Sequence, residues 1–170
     1  NNFGMVMNAH QTKTVVDAAL DQGITLFDTA DVYGGGGKSE TFLGKALGKK
    51  RSQAIIATKF GNPMGDSVYQ GGASRRYIVS AVEESLRRLG TDYIDLYQIH
   101  KPDPHTPVDE TISAMDDLIR QGKVRYIGCS NFSGWQLVES HWVAQTSGLD
   151  SFVSAQNRYS LLSRGIEADL

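Results

Sequence analysis

Two periods alternate along the chain. Residues 75–89 place Ile78, Val82, Leu86 and Leu89 on one helical face, with Ser74 positioned to cap the start and Gly90 to end it. Residues 11–22 carry a similar stripe of Val15, Val16, Ala19 and Leu20, closed by Gly23. A third helix is predicted over 40–47, with Ser39 as its cap and Glu40 at its positive end. Thr106, Pro107 and Asp109 supply an N-cap, a first-turn proline and a first-turn acid for a helix that turns Ile112, Met115, Leu118 and Ile119 inward and stops at Gly122. Ser133 and Gln136 have capping-box spacing ahead of Leu137, Val138 and Trp142. Between these stripes lie short apolar runs over 24–28, 54–58, 94–99, 124–129 and 152–155, which read as strands. Strand and helix thus alternate at βαβ spacing, which predicts an α/β fold with a parallel sheet covered by helices. Both a barrel and an open sheet satisfy that pattern.

The stretch 24–40, ITLFDTADVYGGGGKSE, is the most informative unit. An apolar strand drops into polar chemistry at Asp28, a phenol follows at Tyr33, four glycines turn the chain and a helix begins. The other strands also run into polar residues: Lys59, His100, Ser130 with Asn131, and Gln156. Parallel strands deliver their ends to one rim, where barrel enzymes keep their reactive groups. Taken singly, Asp28 is an ordinary turn former, Lys59 an ordinary surface charge and His100 an ordinary loop histidine. Taken together, an acid, a phenol, an amine and an imidazole can run proton chemistry. A free tyrosine is a poor acid at neutral pH, and an adjacent ammonium favours the phenolate and so lowers its pKa. Asp28, Lys59 and Tyr33 are therefore read as a relay in which Tyr33 protonates a carbonyl oxygen, with a neutral His100 orienting that carbonyl. No side chain is an obvious nucleophile. A hydride from a bound nicotinamide meets that need, and Ser130, Asn131 and Gln156 have the groups to pair with its carboxamide.

Bulk properties narrow the picture. At 170 residues the chain can build one core. A net charge of -2 gives no reason to expect nucleic acid or an anionic membrane as a partner. Cys129 is the only cysteine, so neither an intrachain disulfide nor a thiolate metal cluster can form, and its apolar flanks suggest packing rather than nucleophilic chemistry. No apolar run approaches the roughly 20 residues of a membrane helix. A soluble, cytoplasmic protein is expected, its ends read as cut.

The blocks FDTADVYGGGGKSETFLGKAL, IIATKFG, IDLYQIHKPDPHTPVDETISAM, GKVRYIGCSNFSGWQL and SAQNRYSLLSR resemble, in order and spacing, those of the aldo-keto reductases. The branch resembled is that of bacterial reductases akin to potassium-channel β subunits. The resemblance implies a (β/α)8 TIM barrel and NADPH-dependent reduction of a small carbonyl substrate, an aldehyde or ketone, to an alcohol. Its catalytic tetrad falls on Asp28, Tyr33, Lys59 and His100, with Asp28 also near the cofactor. Its nicotinamide contacts fall on Ser130, Asn131 and Gln156. A complete barrel of this kind needs ~250 residues, so residues 1–170 are expected to form one partial barrel domain of about five strands. Lacking the family's later cofactor-binding elements, this piece is expected to have little NADP(H) affinity or activity alone.

Two other motifs lead elsewhere. GGGGKS lacks the first glycine of a phosphate-binding loop, since Val32 stands there. His100, Asp103 and His105 invite a metal reading, but zinc sites need further ligands at rigid spacing. An alternative from another class is a regulatory subunit that senses NADPH with little turnover. Neither substrate identity nor oligomeric state is legible, although the loop 61–72 and Trp135 are placed to contribute to substrate choice.

Overall fold

The computed structural model describes residues 2–170. Its elements follow the order α1 (Ala9–Asp21), β1 (Leu26–Asp28), α2 (Lys38–Leu47), β2 (Ile55–Phe60), α3 (Arg75–Leu89), β3 (Ile94–Ile99), α4 (Val108–Arg120), β4 (Val124–Ser130), α5 (Gly134–Ser147) and β5 (Ala155–Gln156). Short 3₁₀ turns occupy Gly48–Gln53 and Gly165–Ala168. The five strands form one parallel sheet whose spatial order is their order in sequence. An open doubly wound sheet reverses direction part-way, whereas this progression is that of a barrel wall. The sheet is a curled half-barrel with helices along its outside, an incomplete (β/α) barrel.

Register separates the two faces. On the helix side, Phe27 pairs with Ile56, Thr58 with Tyr97 and Ile127, and Phe60 with Ile99 and Cys129. These positions are buried and join Leu43, Ile78, Val82, Leu86, Met115 and Leu118 in the core. Cys129 lies inside it, as its apolar flanks predict. The opposite face carries Leu26 beside Ile55, Ala57 beside Leu96 and Tyr126, and Lys59 beside Gln98 and Gly128. Leu26, Ile55 and Tyr126 remain 58%, 47% and 60% exposed there, so the concave face is apolar at its base and uncovered.

Several element ends differ from the sequence reading. The α1 helix starts earlier than predicted because Asn8 and Gln11 form a capping box. Ser39 does not cap α2. Gly37, with φ 86°, precedes the helix, and Ser39 lies inside it, where its hydroxyl accepts a hydrogen bond from Thr29 at 2.8 Å. Thr106 is likewise drawn away from its helix to donate to Asp103 at 2.8 Å, leaving Pro107 at the cap of α4. Gln136 does reach back to the Ser133 amide at 3.0 Å, as its spacing predicts. β5 holds only Ala155 and Gln156, because the ladder with β4 begins at Cys129.

Gly44 explains how closely α2 approaches α3: a Cβ there would fall inside the contact distance of the Leu89 carbonyl. Alanine favours helix over glycine by about 1 kcal/mol, but a clash with backbone cannot be relieved by a rotamer change. Gly44→Ala is therefore expected to lower stability by a net ~1–2 kcal/mol in a denaturant titration. No helix among the described residues is long and apolar enough to cross a membrane.

Candidate active site

The turn after β1 hangs from β2. The amide of Thr29 donates to the Ala57 carbonyl at 2.8 Å and that of Asp31 to the Lys59 carbonyl at 3.0 Å, extending the ladder past the strand end. Gly34 to Gly37 then all take positive φ, between 74° and 86°. A Cβ on Gly34 would sit 2.8 Å from the Phe3 carbonyl oxygen and the Ser39 amide, so the sharp return to α2 needs glycine there.

Lys59 lies within β2 rather than after it, because the strand continues to Phe60. Its side chain is 2% exposed, and its ammonium bonds Asp28 Oδ1 at 2.6 Å and the Thr29 carbonyl at 3.0 Å. The same ammonium stands 5.4 Å from the centroid of the Tyr33 ring. His100 follows β3 directly and meets Tyr33 edge to face, with centroids 5.6 Å apart. Asp28, Tyr33, Lys59 and His100 thus form one cluster at the rim.

The electrostatics differ in one respect from the sequence reading. Tyr33's pKa is raised rather than lowered, first by burial and then by the negative charges of Asp28 and Asp31. The expected effect of Lys59 does not dominate because its charge is largely matched by the bonded Asp28 carboxylate. Burial lowers the pKa of His100, and the Lys59 charge lowers it further, so the imidazole is neutral near pH 7. Its Nδ1 is buried and finds no hydrogen-bond partner among the described residues.

The neighbouring wall carries the other candidates. Ser130 Oγ donates to the Gln156 carbonyl at 2.7 Å, and Asn131 Nδ2 donates to the His100 carbonyl at 2.9 Å and to Ser130 Oγ at 3.0 Å. Asn131 has φ 60°, the one positive value at a non-glycine residue in the described chain. Asparagine tolerates that conformation, which recurs at functional positions. Ser130 is buried, whereas the amides of Asn131 and Gln156 are exposed. Gln98, which the sequence reading passed over, lies beside Lys59 in the ladder and approaches Gln156 Oε1 at 3.5 Å. Its period-2 position with Leu96, facing inward, was the available signal.

Glu40 and Arg88 were also missed as a pair. Glu40 is fully buried, taking hydrogen bonds of 2.6 Å from both Thr58 Oγ1 and Arg88 Nε, so it supports the site from beneath rather than simply favouring a helix end. Among the described residues no group of three or more His, Cys, Asp or Glu is placed to hold a metal ion.

Comparison with known proteins places this arrangement. The Aldo/keto reductase family profile matches residues 1–170. The chain is 44% identical to the aldo-keto reductase YhdN of Bacillus subtilis, covering 96% of this chain and 49% of that protein. It is 37% identical to a versiconal hemiacetal acetate reductase of Aspergillus parasiticus, covering 98% and 54% respectively. A third relative, a putative voltage-gated potassium channel subunit beta of Schizosaccharomyces pombe, is 38% identical over 96% of this chain and 48% of its own length. The chain spans about half the length of the curated relatives it matches. With a family match over its whole length and a barrel wall that gathers the predicted tetrad, the chain belongs to the aldo/keto reductase family.

Proposed function

We propose that the polypeptide carrying this chain is an oxidoreductase that reduces an aldehyde or ketone to an alcohol with NADPH, Tyr33 being the proton donor. The observation that supports it best is the cluster itself: a buried Lys59 bonded to Asp28 at 2.6 Å, with its ammonium 5.4 Å from the Tyr33 ring and His100 packed on that ring's edge. The raised pKa keeps Tyr33 protonated at neutral pH, so the phenol is loaded to give its proton away. As negative charge grows on the carbonyl oxygen, the proton moves from Tyr33 to that oxygen, and the Lys59 ammonium stabilises the phenolate left behind. Asp28 holds the ammonium in place. Neutral His100, with Nδ1 enclosed, offers Nε2 to the same carbonyl oxygen.

The residues present fit the nicotinamide end of the cofactor. Asn131 and Gln156 expose side-chain amides beside the buried Ser130 hydroxyl, which together match the donor and acceptor of a carboxamide. When bound, the cofactor supplies the hydride that this set of side chains lacks. A cleft of about 710 Å³ between the loop 61–72 and the segment after β3, lined by Tyr69, Lys101 and His105, is a candidate contributor to substrate choice.

Titrating NADPH into the full-length polypeptide, followed by loss of nicotinamide absorbance on adding 4-nitrobenzaldehyde, tests the reading. Saturable binding and catalytic turnover are expected. Binding without turnover of any aldehyde or ketone would favour a cofactor-sensing subunit, a reading that the channel-subunit relative makes worth testing. Residues 1–170 alone, with the concave face open at Leu26, Ile55 and Tyr126, are expected to bind NADPH weakly.

A further inference from the structure

Behind the Tyr33 turn, between strands and helices, lies a group of buried polar side chains that the proton transfer does not use. Asp31 is 1% exposed. Its Oδ2 lies 3.4 Å from the Tyr77 hydroxyl on α3, and its Oδ1 is buried with no hydrogen-bond partner among the described residues. From α2 it faces Glu40, and from α3 Arg88 together with Tyr77. From β3 comes the wholly buried Tyr97, whose hydroxyl is likewise partnerless. β2 contributes the Lys59 carbonyl, which holds the Asp31 amide at 3.0 Å, while the Lys59 ammonium is committed to Asp28.

Charge counting assigns a proton here. Two buried carboxyl groups, Asp31 and Glu40, share one guanidinium, and Arg88 places its Nε on Glu40 at 2.6 Å. Glu40 also receives the Thr58 hydroxyl at 2.6 Å, whereas the Asp31 carboxyl has the long contact from Tyr77 and the Val32 backbone beside it. A second uncompensated carboxylate in this layer is costly, and the poorly partnered one takes the proton. Burial, with the charge of Glu40, pushes Asp31 up to about 7, against smaller opposing effects of the Val32 backbone, Arg88 and Tyr77. Asp31 stands two residues before Tyr33, where its negative charge makes the phenol harder to ionise.

We propose that Asp31 is a positioning residue for Tyr33: held behind the turn beside Glu40, Arg88 and Tyr77, it leaves Tyr33 the stronger proton donor as the neutral acid and makes it a weaker one as the carboxylate. This rests on reading Tyr33 as the general acid. The balance is simple. Asp31 exchanges its own proton with solvent, no proton passes from it to substrate, and only the field at Tyr33 changes.

The test uses the full-length polypeptide with NADPH and an aldehyde, together with ¹³C NMR of its aspartate carboxyl and tyrosine ring carbons. In the unaltered protein, kcat is expected to fall several-fold as pH rises through about 7, the value to which Asp31 is pushed. Asp31→Asn, neutral at every pH, should remain active and lose that limb. Tyr77→Phe, which removes the phenol facing the carboxylate, should move the limb to higher pH. One aspartate carboxyl should titrate near neutrality and vanish in Asp31→Asn, and Tyr33 should ionise at lower pH in that variant. An unchanged limb in Asp31→Asn, or no aspartate titrating near neutrality, overturns the proposal. If no carbonyl compound is reduced by any form, the reductase reading fails, while the carboxyl titration and the Tyr33 shift still decide the role of Asp31.

Discussion

Tyr33→Phe is expected to lower kcat for carbonyl reduction by roughly 10²–10⁴ while leaving NADPH affinity within a factor of a few. The substitution removes one hydroxyl from a half-buried ring and keeps the edge-to-face contact with His100, so the fold has little reason to change. On the proposed mechanism, what disappears is the proton that neutralises charge on the carbonyl oxygen. That interaction grows in the transition state, so the loss falls on kcat rather than on binding. Stopped-flow binding of NADPH alongside steady-state turnover separates the two. A variant retaining most of its turnover would remove Tyr33 as the proton donor, and with it the relay built on Lys59 and Asp28. Turnover lost together with cofactor binding would instead mean that the turn itself had collapsed.

The second large effect concerns the layer beneath the site. Arg88→Met is expected to destabilise the fold by about 3–5 kcal/mol at neutral pH, because it strands a buried carboxylate. Glu40 is fully buried and Arg88 only 11% exposed, so water cannot replace the guanidinium at 2.6 Å. For a chain of this size that corresponds to a Tm lower by roughly 6–20 °C. A pH series gives the sharper check. Without Arg88, the buried charge of Glu40 keeps only the Thr58 hydroxyl, so the fold carries an unpaired carboxylate unless acid neutralises it. The Arg88→Met penalty should therefore be smallest in acid, below the unfolded carboxylate range, and grow as pH rises. A pH-independent loss would point to lost packing of the arginine stem over Gly37 instead. Asp31 has the same sign: raised to about 7 from 3.8, it favours the fold most below its unfolded value, and that contribution is lost as pH climbs toward 7.

These expectations depend unequally on sequence and on structure. The strand and helix order was legible because each element repeats a period that any chain obeys: the α3 stripe of Ile78, Val82 and Leu86 marks one helix face, and its capping serine and terminal glycine bound it. The rim residues were legible for the same reason, since parallel strands bring their ends together wherever the sheet lies. The start of α2 and the cap of α4 were not. Ser39 and Thr106 have good capping chemistry, but Thr29, from the turn after β1, and Asp103, three residues upstream of Thr106, outcompete the helix ends for their hydroxyls.

The sign of Tyr33's shift was hidden for a related reason. Sequence shows that an amine and a phenol converge, but not that the amine is already neutralised by Asp28 or that burial dominates. Nor can sequence reveal that Asp31, Glu40, Tyr77 and Arg88, drawn from one turn and two helices, share one dry layer. By itself the sequence determined the alternation, the parallel wall and which polar side chains reach the rim, because these follow from local periodicity and chain direction. Only the tertiary structure decided which charges neutralise one another and which carboxyl is left buried without a close counter-charge, because both depend on distance and on the exclusion of water.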